Sequence, residues 1–385
     1  MRFNIILIMA SLSIGWILPV GCGKSKTGSE KPGGKQLVPA DSASAVSDSP
    51  VLRRYEFRTF GPIDALFLVN DEGFELHSVE KEFAAARDRV ERVNALMSLY
   101  KPDSEVNRLV LATEGSPAPL NDETIEVLSF CAKAVKATGG AFDPTIPPVW
   151  KLYGFKRGQT PTIPADAEID SAMQRVGFNK LRIDKERRVG WATVRGMGVD
   201  LGAVAKGYGV DVAFNSLSAA GFRGVLVEIG GEIRAAGVRP DGKPFVGGLR
   251  HPRMEPLFAD FDIPVGGLSV ATSGDYEQYI SVNGQRYSHI IDARTGRPTS
   301  SGLISVTVIA PDCMTADALA TAVSVIGFDE GKKMLEADFP GVECIALSIR
   351  DDKGHISDDG DELRIDETDG IKKILSFRLD WKSVV

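Results

Sequence analysis

Val306–Gly327 reads VTVIAPDCMTADALATAVSVIG, and the fold can be read outward from it. The apolar run Val306–Ala310 predicts a buried strand, Pro311-Asp312 a turn, and the Ala-rich stretch that follows a helix. Asp317 and Thr321 lie four residues apart on that helix, so their oxygens project from one face. Two readings of the pair stand open. A carboxylate and a hydroxyl on an apolar helix suit a hard cation such as Mg²⁺ beside a phosphate. Alternatively, Asp317 is a first-turn acid favoured by the helix dipole, and Thr321 bonds back to its own helix.

Upstream, strand and helix signals come in mixed blocks. Glu56 to Leu76 predicts a strand pair turning at Asp71-Glu72-Gly73. Val79 to Ser98 carries apolar residues at helical spacing, and Asn121 to Thr138 predicts a second helix, capped by Asn121 and stopped by Gly139-Gly140. Leu201 to Ala220 reads as a third helix, and Val225–Ile229 as a strand ending at Gly230-Gly231. Tyr279 to Ile291 folds around Asn283-Gly284, a hairpin signal. The absence of regular alternation predicts an α+β fold: one large domain over residues 51–385, with mixed, mainly antiparallel sheets and packed helices.

The first 50 residues stand apart. Arg2 followed by the apolar Phe3–Val20 and then Gly21-Cys22 reads as an export signal over residues 1–22. A small residue before Cys22 resembles a bacterial lipoprotein box, although Pro19 stands where that pattern has Leu. Cys22 is then the lipidated N-terminus of a protein anchored on the periplasmic side; ordinary cleavage to a soluble exported chain is the alternative. Residues 23–50, rich in Gly, Ser, Lys, Pro and Asp, read as a flexible tether. A formal charge of −7 argues against nucleic acid as a partner. Cys131, Cys313 and Cys344 form no CxxC pair, so neither a zinc site nor a disulfide framework is expected.

Four further segments carry chemistry-bearing residues. Gly139-Gly140-Ala141-Phe142-Asp143-Pro144-Thr145 lets backbone approach a ligand closely, or is a plain helix stop. Asp200-Leu201-Gly202-Ala203-Val204-Ala205-Lys206-Gly207-Tyr208 sets an acid and a lysine at a helix entrance, fit for a phosphate, without the GK[ST] ending of a P-loop. Thr272-Ser273-Gly274-Asp275 can form an anion nest or a connecting loop. His289 and Asp292 stand among Ser288, Arg294 and Thr295, a setting for acid–base or phosphate work.

In order and content these segments, with Met97–Glu105 and Ile229-Gly230-Gly231, resemble the ApbE-type FAD:protein FMN transferases. The resemblance runs from about Phe57 to Gly327. It implies a Mg²⁺-dependent enzyme that splits FAD, passes FMN to a Thr or Ser hydroxyl of an exported partner protein, and releases AMP. By motif, it implies Asp317, Thr321 and the carbonyl of Ala203 as metal ligands. Ala141, Phe142 and Asp143 become flavin or adenine contacts, Asp200 and Lys206 further FAD contacts and Tyr100 a stacking or phosphate contact, while the loop of Thr272, Ser273, Gly274 and Asp275 lines the phosphate end with His289. His289 is the expected general base, oriented by Asp292; its rival role is substrate binding alone. Phe60 stands where the family has Met, and Ala293 where it has Pro. A Mg²⁺-dependent FAD pyrophosphatase and a non-catalytic flavin-binding lipoprotein are the alternatives.

Overall fold

The computed structural model describes residues 52–155, 158–250, 257–276, 278–282, 285–350 and 362–377. The expected export signal with Cys22, the tether, the Asn283-Gly284 turn and the acidic run at 351–361 lie outside the described residues.

The first strand pair forms but turns earlier than its Asp71-Glu72-Gly73 signal. β1 (Leu52–Thr59) and β2 (Ile63–Asn70) are antiparallel and meet at Phe60-Gly61-Pro62. Phe60 takes φ 45° and Gly61 φ 91° in that turn. The left-handed conformation of Phe60 is tolerated because its ring packs against Gly209, where an added Cβ would sit 3.2 Å from it. Asp71-Glu72-Gly73 instead leads into α1 (Leu76–Met97).

Six more strands extend this pair: β3 (Gly224–Ile229), β4 (Glu232–Gly237), β7 (Leu268–Gly274), β10 (Leu303–Ala310), β11 (Glu343–Arg350) and β12 (Glu362–Glu367). The sheet runs β1-β2-β3-β4-β7-β10-β11-β12, antiparallel throughout. Two-residue alternation gives it two buried faces. On β2, Ala65, Phe67 and Val69 face the helices, while Leu66 and Leu68 join Phe245 and Phe261 on the other side. A small sheet of β5 (Val246–Arg250), β6 (Leu257–Asp262) and β13 (Ser376–Phe377) covers that second face. The hairpin of β8 (Tyr279–Val282) and β9 (Gln285–Ser288) stands separately.

Among the helices of the described residues, five more frame the sheet and the site: α2 (Glu105–Leu111), α3 (Asp122–Ala137), α4 (Ala205–Ala219), α5 (Cys313–Ile326) and α6 (Phe328–Asp338). α3 lacks the expected Asn121 side-chain cap. Glu105, buried on α2, accepts instead from the Asn121 amide at 3.0 Å and the Thr124 hydroxyl at 2.5 Å. α4 starts four residues later than its sequence signal, because Leu201–Val204 make a turn first. The arrangement is α+β, a mixed fold of helices and antiparallel sheet, as the block pattern predicts.

α5 lies between α4 and the sheet strands β7 and β10. Ala316, Ala318, Ala320 and Ala322 are fully buried and allow that close fit. Its first turn is held from two sides. Asp312 accepts from the Thr315 amide at 2.8 Å, and Asp211 of α4 accepts from the amides of Cys313 at 2.9 Å and Met314 at 2.8 Å. Arg234 of β4 donates to Asp211 at 2.6 Å. An Asp211→Ala change leaves Arg234 without its carboxylate and the helix start with two orphan amides. The expected loss is about 3 kcal/mol, read as a lower urea midpoint with an unchanged m-value.

Candidate active site

The helix starts of α4 and α5 approach so closely that Gly207 leaves no room for a side chain. A Cβ there would lie 2.3 Å from the Cys313 carbonyl oxygen and 2.9 Å from Cβ of Asp317. The approach puts the Gly207 amide 3.0 Å from Asp317 Oδ2, to which it donates. In a regular helix that amide bonds to the carbonyl of Ala203. Here no backbone N–H among the described residues meets Ala203 O.

Lys206 is the hub. Its Nζ donates to Asp317 Oδ1 at 3.0 Å, to Oδ2 at 3.2 Å, and to Glu232 Oε1 at 2.8 Å. Asp317 and Glu232 are both buried. Burial works against the lysine's charge, but the two carboxylates outweigh it and push its pKa up. Burial pushes Glu232 up as well, with repulsion from Asp317 adding to it and the pull of Lys206 opposing. With both carboxylates ionised the three groups would carry one net negative charge, a state that burial disfavours until a further positive charge offsets it.

Thr321 shares the Asp317 face of α5, and its Oγ1 lies 3.1 Å from Ser273 Oγ on β7. Thr272 points away: its hydroxyl pairs with Thr307 on β10 at 2.8 Å, on the opposite face. The expected nest at Thr272–Gly274 is strand, with Gly274 in register with Ser305 and its neighbour Asp275 donating to Ile304 O. Adjacent strand residues face opposite ways, so only Ser273 joins the site. Gly274 is needed for the Tyr276 ring, which an added Cβ would meet at 2.4 Å.

His289 Nδ1 lies 2.7 Å from the carbonyl of Gln278. A carbonyl only accepts, so Nδ1 carries the proton and the neutral ring has its lone pair on Nε2. Burial lowers the pKa of His289; the positive charge of Lys206 adds to this, while the Gln278 bond and Asp275 oppose. Asp292 does not orient the ring. Its carboxylate accepts from the Arg294 amide at 2.8 Å and from the Arg294 guanidinium at 2.7 Å, closing an Asx turn in which the Gly296 amide bonds to Asp292 O. The orienting partner is the Gln278 carbonyl.

The remaining expected contacts divide. Asp143 bonds the Thr145 amide and the Phe178 amide, both at 2.8 Å, so both of its oxygens bind the protein's own backbone. Ala141 and Phe142 are buried in the core, and Ala141 O accepts from the Ala293 amide, tying this turn to the His289 segment. Asp200 accepts from the Gly202 amide at 2.8 Å, and burial raises its pKa. Tyr100 is 69% exposed. Its phenol is raised by the partial shielding that remains, then by the nearby charge of Asp200.

The profile of the ApbE family matches residues 66–346. A relative from Haemophilus influenzae named FAD:protein FMN transferase is 35% identical over 292 residues, 74% of this chain and 84% of the relative. One of the same name from Vibrio cholerae is 38% identical over 250 residues, 65% of this chain and 74% of the relative. The solved flavin transferase ApbE from Vibrio cholerae superposes with a TM-score of 0.72 at 29% identity, covering 84% of this chain and 99% of that one. The apo flavinyl transferase ApbE of Pseudomonas stutzeri gives 0.73 at 27% identity, covering 84% and 97%. The chain belongs to the ApbE family of flavin transferases.

Within this ApbE-family fold the oxygen donors fit a hard cation in part. Asp317 supplies a carboxylate, Thr321 a hydroxyl, and Ala203 a carbonyl without a backbone donor. Among the described residues no group of three or more His, Cys, Asp or Glu could hold a metal. Softer ions thus lack their ligands, and a small oxygen set leaves coordination positions for phosphate and water. Glu232 escaped the sequence reading. An acid directly after Gly230-Gly231, at the first position of a strand, is its only signal there.

The depressed pKa of His289 has a stability consequence whose sign is fixed. The native ring refuses a proton that the unfolded chain takes up below about pH 6.5. Stability contributed by this group is therefore present above about pH 6.5 and is lost as pH falls toward the folded value. Urea midpoints of the wild type and His289→Asn, followed from pH 7.5 to pH 5, are expected to show a steeper decline in the wild type. Parallel profiles would mean that the ring is not held neutral.

Proposed function

We propose that this chain splits FAD at its pyrophosphate, passes the FMN phosphoryl to a Thr or Ser hydroxyl of a partner protein as a phosphoester, and releases AMP. The observation that carries the reading is the buried Lys206–Asp317–Glu232 centre with a neutral His289 within its electrostatic reach. The relatives' name, FAD:protein FMN transferase, supports FAD as donor and a protein as acceptor. In this reading Asp317, Thr321 and the Ala203 carbonyl hold Mg²⁺. That ion, when bound, offsets charge on the pyrophosphate.

The protein's own groups do the rest. Nε2 of His289 takes the proton of the acceptor hydroxyl, while its Nδ1–H bond to Gln278 keeps the ring in place. Ser273 holds the Thr321 hydroxyl in one orientation. Exposed Tyr100, beside Asp200, offers a face on which a flavin or adenine ring can stack. Ala141 and Phe142, with buried side chains, present only backbone to a ligand. Positioning two reactants in this way removes much of the entropic barrier.

The deciding test incubates the purified chain with FAD and Mg²⁺, with and without an acceptor protein, following AMP and in-gel flavin fluorescence. AMP release and a fluorescent acceptor band that both require the acceptor are expected. AMP and free FMN without acceptor would replace this reading by a pyrophosphatase, and no AMP despite bound FAD by a carrier. Asp317→Ala should lose turnover and Mg²⁺ response together. His289→Asn should lose a factor of about 10²–10⁴ in rate.

We also place the enzyme on the periplasmic side, anchored through Cys22, on the strength of the apolar Phe3–Val20 run and the small residue before Cys22. Labelling cells with a radioactive fatty acid is expected to mark the protein, and Cys22→Ala to abolish the mark. A labelled Cys22→Ala chain would exclude this anchor.

A further inference from the structure

Glu232 sits at the first position of β4, next to the turn that carries Gly230 and Gly231, and is 3% exposed. Its Oε1 lies 2.8 Å from Lys206 Nζ, while Oε2 is buried with no hydrogen-bond partner. A buried oxygen left without a donor is unfavourable, and so is a second carboxylate across the ammonium from Asp317. If the aim were only to neutralise Lys206, Asp317 would suffice, since it already contacts Nζ with both oxygens. The arrangement makes sense when the quantity being set is the charge left over at Asp317.

We infer that Glu232 is a positioning residue for the cation site, sharing the Lys206 ammonium with Asp317. Lys206 then fixes the Asp317 carboxylate without cancelling the negative charge that carboxylate offers a divalent cation. With Glu232 ionised, the three side chains together carry one net negative charge; without it, they carry none. A cation entering beside Asp317 meets attraction in the first case and only a neutral ion pair in the second. The inference rests on the reading that Asp317, Thr321 and the Ala203 carbonyl hold Mg²⁺.

The experiment measures Mg²⁺ binding directly, by calorimetric titration of the purified full-length chain without FAD at pH 9, where Glu232, pushed up to about 8 by burial, is ionised. Thermal midpoints without Mg²⁺ confirm that each variant is folded. Glu232→Gln keeps the shape and removes the charge, and should weaken Mg²⁺ binding on the order of tenfold. Adding Lys206→Met to Glu232→Gln restores one net negative charge and leaves no orphaned ammonium. This double variant should return to within about threefold of the wild type. Equal binding by wild type and Glu232→Gln would overturn the inference. So would a double variant as weak as Glu232→Gln, because affinity would then follow the pocket's shape rather than its charge. A wild type that binds no Mg²⁺ sinks the underlying metal reading instead, and is told apart by the missing heat in the first titration.

Discussion

Everything at this site depends on one ammonium shared between two buried carboxylates. Lys206 enters from the first turn of α4, Asp317 from α5 and Glu232 from β4, so a single Nζ ties two helices to the central sheet. Such a contact is a poor way to gain stability. The desolvation of three charged groups offsets most of the Coulombic attraction, and an apolar cluster of the same volume would hold the elements together as well. A better reason for its presence is the charge it leaves. Were Glu232 ionised, the three groups would carry a net negative charge that a neutral pair would not, which is the basis of the proposed cation site.

The backbone around this hub is arranged to make the sharing possible. Gly207 lets the two helix starts touch, and its amide turns from Ala203 to Asp317. That one exchange fixes the carboxylate and leaves the Ala203 carbonyl without its helical partner. Asp211 does related work one turn further along α4, accepting the two amides that open α5 while Arg234 balances its charge. The alanines of α5 bring the helix near enough to β7 for Thr321 to reach Ser273. Small residues set the distances, and the polar groups then have little freedom.

Much of the fold was legible because its elements advertise themselves by periodicity. The run Val306–Ala310, the apolar spacing from Val79 onward and the Gly139-Gly140 stop all lie where the pattern puts them. Misreadings arose where one residue type serves several purposes. Asp71-Glu72-Gly73 has turn chemistry, yet the chain reverses at Phe60-Gly61-Pro62, where a left-handed Phe is accompanied by tertiary packing of its ring, against Gly209 among others. Thr272-Ser273-Gly274 has loop composition, but pairing with β10 overrides it and sends Thr272 to the wrong face. Asp143, expected at the ligand, and Asp292, expected beside His289, have carboxylates that close turns in the structure, a use their sequence setting does not reveal. Glu232 was illegible for a different reason: its partner lies on another element, far off in the chain, and one acid in a strand carries no pattern.

The same ammonium also reaches the group proposed to move a proton. His289 must be neutral to accept one, and burial accomplishes most of that. Asp275 and the Gln278 carbonyl pull the other way, since each stabilises a protonated ring. The charge of Lys206 counters them. A lysine held fully charged by two carboxylates can exert that effect steadily, whereas one that lost its proton could not. The two carboxylates keep Lys206 charged, and that charge adds to burial in lowering the pKa of His289, so the carboxylate pair and the histidine are linked through a single nitrogen.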